Sequence, residues 1–283
     1  MKICRFDNDR LGIIQGEDVL DVSTWLDGLP TLRWGQILAD PVIARLPELL
    51  AALPVLLETA PRLALDNVRL AAPVAMPTKI IGAPVNYHAH IAEAEADAEI
   101  NRGHQFHKID AAGCFLKANS ALTGHQSVIE LPIEGERVDH EAEIAIVIGK
   151  PARKVLAKDA MAHVAGYCLA LDMTVRGTQD RSKRKSCDGF AVLGPWLVTA
   201  DEIADHANIP FFLTVNGEER QNANTSMLIR SIPELIEMCS AFYTLNPGDV
   251  IMTGTPAGVS PVVSGDTVAL TSPQLGALSI TIA

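Results

Sequence analysis

Two carboxylates, Glu141 and Glu143, stand two residues apart in DHEAEIAIVIGK, residues 139–150. In an extended strand that spacing sends both side chains from one face. Ile144, Ile146 and Ile148 fall on the opposite face, while Ala145 and Val147 continue the face that carries the carboxylates. A half-exposed strand with a solvated acidic edge is the ordinary explanation for such glutamates, but a solvated face would stay polar at Ala145 and Val147. Two like charges entering a partly buried face are costly unless a cation neutralises them, so the pattern predicts a metal site. A second apolar run, Val164 to Leu171, reads as a buried strand and ends at Asp172. Alone, Asp172 could be a turn residue; with Glu141 and Glu143 it completes a set of three carboxylates. Hard oxygen donors without His or Cys at ligand spacing suit Mg²⁺ or Mn²⁺, or Ca²⁺, over Zn²⁺. Three protein oxygens leave positions open on an octahedral ion, as a catalytic metal requires.

Other residues could serve the same centre. RSKRKSCDGF places Arg181, Lys183, Arg184 and Lys185 within five positions of an acidic chain. Such a run can attract an anionic substrate. Lys185 is the best placed to enter a pocket, because the chain returns to buried structure over Phe190–Leu197; its neighbours read as solvated. The loop TGTPAGVSP offers amides and the Thr255 hydroxyl to a carboxylate, but it lacks the lysine and spacing of a nucleotide phosphate loop. His90 and Glu93 are three apart in a run of good helix composition, Ala89–Ile100, and share a helix face. By itself that segment reads as a solvated acidic helix with a surface histidine.

The elements that must position these residues are mostly strands. KICRF, LGIIQ and DVLDV are short strand-like runs separated by turns. The run Val42–Leu57 is helical in composition, with Pro47 and Pro54 expected to break it into short pieces. Pro73 and Pro77 mark a linker, which divides the chain into a small N-terminal domain, 1–72, and a larger domain, 73–283. FFLTV, Asn216-Gly217 and EERQ form a hairpin signal with a type I′ turn. Ser231-Ile232-Pro233-Glu234 is a capping box opening a helix with an apolar face. Asn246-Pro247-Gly248-Asp249 turns into the strand Val250-Ile251-Met252.

Composition bounds the function. A chain of 283 residues with 48% hydrophobic and 20% charged residues is an ordinary globular protein. A net charge of −11 argues against a nucleic-acid partner, which needs a basic surface. The five cysteines are odd in number and contain no C-x-x-C pair, which suits a reducing compartment. The N-terminus carries no signal-peptide core, and no apolar run approaches the ~20 residues needed to span a bilayer. A soluble cytoplasmic protein without a membrane partner is expected.

Taken together, VNYHAH, CFLKANSAL, DHEAEIAIVIGK, GYCLALDMTVRGTQ, KSC followed by LGP, and NTSMLIRSIPELIEMCSAFYTLNPGDVIMTGTPAGVSP resemble the fumarylacetoacetate hydrolase family, in the family's order and along essentially the whole chain. The resemblance implies an α+β fold: a β-rich, mixed-sheet catalytic domain preceded by a small N-terminal domain and assembled as a homodimer. It implies a Mg²⁺ or Mn²⁺ site on Glu141, Glu143 and Asp172. It also implies a catalytic His90–Glu93 pair on a lid, about 88–112, a catalytic Lys185, and substrate contacts from Arg176, Gln179, Thr255 and Lys117. Ala118 stands where the family commonly has proline. No Asp follows closely after Asn86-Tyr87, so the fourth carboxylate ligand of the namesake enzymes has no counterpart. That departure points to the acylpyruvate hydrolase-like branch and to a small anionic 2-oxo acid as substrate. The implied reaction is cleavage of a carbon–carbon bond in a 2,4-dioxo acid. Decarboxylation of a β-keto acid such as oxaloacetate, or isomerisation of a hydroxydienoate, would use the same metal and enolate chemistry. From a different class, a non-catalytic binding protein could hold a structural cation on the same carboxylates.

Overall fold

The strand Ala142–Ile148 lies near the middle of the larger of two main sheets, and all seven of its residues are buried. Its neighbours are Val164–Asp172 on one side and Val250–Met252 on the other, both antiparallel to it. The structure is a computed structural model, and it describes all residues except 8, 32–38, 98–99, 101–108 and 133. Beyond Val164–Asp172 the sheet continues through Ala191–Thr199 to Lys2–Phe6, Arg10–Gln15, Asp18–Asp21 and Arg62–Ala64. Beyond Val250–Met252 it continues through Ile80–Gly82, which is parallel to it, to Phe115–Lys117. A five-stranded sheet packs beside it, built on the hairpin Pro210–Val215 and Glu218–Asn224 together with Thr267–Ser272, Gly276–Ile282 and Ser127–Ile129. The fold is therefore α+β with mixed sheets, as the resemblance implies.

Burial on both faces follows from two cores. Ile144, Ile146 and Ile148 pack with Leu213, Leu270, Leu278 and the helix Ile232–Phe242. Ala145 and Val147, on the carboxylate face, pack with Leu46, Leu49 and Leu53 of the helix Leu46–Thr59. The apolar continuation of the carboxylate face is thus explained by a helix from the first 72 residues.

That helix departs from the expectation that Pro47 and Pro54 break it. Pro47 sits in the first turn, where its missing N–H removes no helical hydrogen bond. Pro54 lies inside the helix on an exposed position, so the carbonyl left without a partner by the ring can face solvent. The hairpin has the expected positive φ at Asn216 and Gly217, 50° and 83°. The capping box at Ser231 and Glu234 is formed in both directions. The helix begun at His88 ends at Ala96, Ile100 is helical again, and a further short helix spans Ile109–Ala112. The middle of the expected lid lies outside the described residues.

Residues 1–72 join the rest of the chain by backbone pairing and, among other contacts, through the carboxylate of Asp40. Lys2 and Ile3 pair with Val198 and Leu197. Asp40, 1% exposed, caps its own short helix by accepting from the amides of Val42 and Ile43 at 3.0 and 3.1 Å. Its second oxygen accepts from Ala75 and Met76 at 2.8 and 3.1 Å, fixing the linker. Replacing Asp40 with Ala leaves these amides without their acceptors. The expected loss is about 2–4 kcal/mol, a lost cap plus unsatisfied buried donors. Urea unfolding checks it: the midpoint should fall with little change in slope.

Candidate active site

Register brings the three carboxylates together. Ala142 pairs with Leu171 and Glu143 with Ala170, which sets Asp172 opposite Glu141 at the end of the same ladder. The Asp172 amide donates to the Glu141 carbonyl at 2.9 Å. Directly opposed residues share a sheet face, so Glu141, Glu143 and Asp172 converge, each offering an oxygen within 4.8 Å of the others. They are 4%, 1% and 1% exposed, which excludes the solvated-edge reading.

The charges around them are distributed unevenly. The Lys185 ammonium donates to Glu141 Oε2 and Asp172 Oδ2 at 2.7 Å each and to Thr174 Oγ1 at 2.8 Å. Lys117 also donates to Asp172. Arg176 bridges Glu141 at 2.6 Å and Asp139 at 2.9 Å. Among the described residues Glu143 accepts one hydrogen bond, from the Gly254 amide at 2.6 Å. Burial alone would raise Glu141, but Lys185 and Arg176 outweigh it and hold this carboxylate well below its usual range. Burial, then the charges of Asp172 and Glu141, push Glu143 well above its usual range. Burial likewise pulls Lys117 down, against the attraction of Asp172. Negative charge at Glu143 is thus under-compensated, and an all-oxygen trio with one such member fits a hard divalent cation.

A helix supplies the second component. His90, buried on the helix His88–Ala96, has its Nδ1 3.1 Å from Glu93 Oε2 one turn away. Glu93 Oε1 in turn accepts from the Gly258 amide at 2.8 Å. A carboxylate on Nδ1 selects the tautomer with its proton there and leaves Nε2 basic. The helix start is anchored by Asn86, whose side-chain amide donates to the carbonyls of Thr253 and Arg230 at 2.9 and 3.0 Å. The buried histidine replaces the surface histidine that the segment alone suggests.

His90, the three carboxylates and Lys185 open on one cavity of about 700 Å³. Arg176, Gln179 and Thr255 line it too. Thr255 Oγ1 accepts from Gln221 at 2.8 Å, which frees its own proton to donate into the cavity. Lys117 is not among the lining residues; it lies behind the site on Asp172, 3% exposed. Arg181 and Arg184, read from the sequence as solvated, are half-buried and line the cavity, whereas Lys183 is exposed. The run is a short helix, Arg181–Arg184, and a single turn cannot point all its residues outward.

Several residues of the site escaped the sequence reading. Thr174 carried a usable signal, since it follows Asp172 by two positions. Asp139 is fully buried between Arg137 and Arg176. Gln221 is the inward position of a strand whose preceding three residues are exposed, and it receives the Ala142 amide at 2.9 Å. Nothing in the local sequence separates it from its exposed neighbours.

Comparison with known proteins shows the family. A family model described as Fumarylacetoacetate (FAA) hydrolase C-terminal matches residues 79–283. The maleylpyruvate hydrolase of Aquipseudomonas alcaligenes is 50% identical over 284 residues, covering 100% of this chain and 99% of that protein. The crystal structure of maleylpyruvate hydrolase from Sphingobium sp. SYK-6, in complex with manganese(II) ion and pyruvate, superposes with a TM-score of 0.85. It is 40% identical, with 100% of this chain and 99% of that chain covered. A bifunctional isomerase/decarboxylase of 4-hydroxyphenylacetate degradation from Salmonella dublin is 43% identical over 169 residues, 58% of this chain and 39% of that protein. The chain belongs to the fumarylacetoacetate hydrolase family.

Proposed function

We propose that this protein is a metal-dependent hydrolase that splits the C3–C4 bond of a 2,4-dioxo acid of the acylpyruvate type. The products are a carboxylic acid and pyruvate or a substituted 2-oxo acid. The observation that carries this reading is the His90–Glu93 pair opening on the same cavity as the three carboxylates and Lys185. Residues 73–283 form the catalytic domain and residues 1–72 a supporting N-terminal domain. The family resemblance supports a homodimer, and the free cysteines suit a reducing cytoplasm.

Glu141, Glu143 and Asp172 would hold Mg²⁺ or Mn²⁺, which when bound supplies a Lewis acid and neutralises the trio. His90 Nε2, with Nδ1 fixed by Glu93, takes a proton from water as the oxygen adds to the C4 carbonyl. The C3–C4 bond then breaks, and its electron pair enters the enolate of the 2-oxo acid. Lys185, at the cavity wall, places its positive charge beside the developing enolate and stabilises it electrostatically. Arg176 holds Glu141 in place from Asp139. Gln179 and Thr255 offer polar contacts to the substrate. Return of the proton from His90 to C3, directly or through water, completes the 2-oxo acid and restores the base.

Decarboxylation and isomerisation would use the enolate half of this machinery, and the Salmonella dublin relative carries those names. Neither needs an activated water, so the dyad favours hydrolysis. Incubating the protein with Mn²⁺ and acylpyruvates, then identifying products, tests the assignment. Two acids are expected; CO₂ or a single isomer would replace the reading with a competitor. His90→Ala should keep Mn²⁺ and bind oxalate while losing hydrolysis by about 10²-fold or more, the range for a lost general base. Glu93→Gln should lose less. Undiminished hydrolysis in His90→Ala would remove the dyad from the mechanism.

Metal linkage gives a prediction independent of turnover. Glu143 has a raised folded pKa, so its favourable contribution is complete at low pH and is lost as pH rises through that value. Glu141, with a lowered pKa, acts oppositely and loses its contribution as pH falls below the usual carboxylate range. Metal-free Glu143→Gln should therefore gain stability relative to wild type as pH rises above the usual carboxylate range. At Mn²⁺ about 100 times its Kd, the wild type should gain about 2.7 kcal/mol, and Glu143→Gln little. Thermal melts with chelator and with Mn²⁺ at several pH values measure both. Equal Mn²⁺ gains in the two proteins would take Glu143 out of the metal site.

A further inference from the structure

We propose that Cys114 and Cys239 are a peroxide-sensitive oxidation site, and that their closure to a disulfide shifts the cavity wall on either side of Cys114. This holds whichever reaction the site performs. All five cysteines are free. Among the described residues these two alone lie thiol to thiol, with Sγ 3.3 Å from Sγ across 125 positions of sequence. Cys239 is 1% exposed on the helix Ile232–Phe242, where it packs with Leu235 and Ile236 in the core. Cys114 is half-buried, so a small oxidant can reach it. Two sealed thiols would be ordinary core packing. Here one is reachable, and bonded sulfurs lie only about 1.3 Å closer together than these.

The two sulfurs have different parts in the reaction. Contact with Cys114, then burial, raise the Cys239 thiol above its usual range, so the accessible Cys114 meets the oxidant first. Hydrogen peroxide gives one oxygen to Cys114 Sγ: the S–O bond forms, the O–O bond breaks, and the thiol proton leaves with hydroxide as water. Cys239 Sγ then attacks Cys114 Sγ. The S–S bond forms, the S–O bond breaks, and the departing hydroxide takes the Cys239 proton as a second water. The thiol pair is thereby oxidised by two electrons and the peroxide reduced by two. In a reducing compartment the pair stays open and closes only under oxidant. Its place in the chain couples it to the cavity. Cys114 stands between the short helix Ile109–Ala112 and the strand Phe115–Lys117, and both Ala112 and Phe115 line the cavity. The Phe115 ring centre lies 5.1 Å from Lys185 Nζ, and Lys117 holds Asp172. Asp110 already ties this segment to the same helix, accepting from Arg230 Nε at 2.6 Å just before the helix begins. With that end held, drawing Cys114 toward Cys239 passes its movement to Ala112 and Phe115.

The test treats the full chain with hydrogen peroxide in the presence of chelator, removes the peroxide, and maps the peptides by mass. In wild type the peptides holding Cys114 and Cys239 should appear joined, about 2 Da lighter than their sum, and dithiothreitol should separate them. Cys187→Ser, which removes the other half-buried thiol, should keep the link. Cys114→Ser and Cys239→Ser should each abolish it. Hydrogen exchange over residues 109–117 should slow by about 10-fold in oxidised wild type and recover on reduction. After Mn²⁺ is added, oxalate should bind the oxidised protein at least about 3-fold more weakly than the reduced one. Cys114→Ser treated in the same way should show no such difference. Cys114 carrying added oxygen while Cys239 stays a free thiol overturns the pair. A disulfide that leaves exchange or oxalate affinity unchanged overturns its coupling to the cavity wall. A reduced protein that binds no oxalate removes the 2-oxo acid reading; slowed exchange in its oxidised form then leaves the thiol pair standing, and unchanged exchange overturns it.

Discussion

Three carboxylates buried within 4.8 Å of one another impose the constraint to which the rest of the structure responds. An ion transferred from water to a protein interior costs several kcal/mol even after relaxation, and like neighbours add to that cost. The chain answers with Lys185, Lys117 and Arg176 on Glu141 and Asp172, and with a peptide amide alone on Glu143. This unequal compensation leaves a place for one more cation. It also demands a rigid frame, because the hydrogen bonds among these groups tolerate little displacement. A strand buried on both faces, between the five-stranded sheet and the helix Leu46–Thr59, provides that frame.

The loop after Val250–Met252 links this charge centre to the histidine. Gly254 donates to Glu143, Thr255 meets Gln221, and Gly258 donates to Glu93. Two of these positions require glycine. Gly254 and Gly258 have φ near +99° and +98°, and added Cβ atoms would lie 2.7 Å from Asn86 Cβ and 1.9 Å from the Arg220 carbonyl oxygen. One short segment of backbone therefore orients a carboxylate of the trio and the partner of the base together. Movement of either would be felt by both.

What could be read in the sequence follows from how local each determinant is. The Glu141–Glu143 spacing and the apolar Ala145 and Val147 report a strand buried on both faces, since the period of two is a local property. The turn at Asn216-Gly217 and the box at Ser231 were legible for the same reason. The pairing of Lys2 with Val198 was not, because a register between segments so far apart leaves no trace in either. Pro54 misled, since its effect depends on which helix face meets solvent. Gln221 and Arg184 are positions whose burial is set by what packs opposite them, and neither has a local mark. His90 is intermediate: its spacing from Glu93 is local, while Glu93 itself is held by the Gly258 amide, 165 residues after it.

The division of labour between sheet and helix bears on why one scaffold serves relatives with different reactions. In the proposed chemistry, the strand ends and Lys185 stabilise an enolate, which hydrolysis, decarboxylation and isomerisation have in common. His90, the proposed base, stands on a separate nine-residue helix, His88–Ala96, held to the frame through Asn86 and Gly258. Changing that helix would alter which bond is broken without disturbing the charge balance of the sheet. The short helix Arg181–Arg184 forms another part of the cavity wall, outside the sheet. On this proposal the choice of reaction rests on a segment beside the sheet, and the sheet itself is constrained mainly by its buried charge.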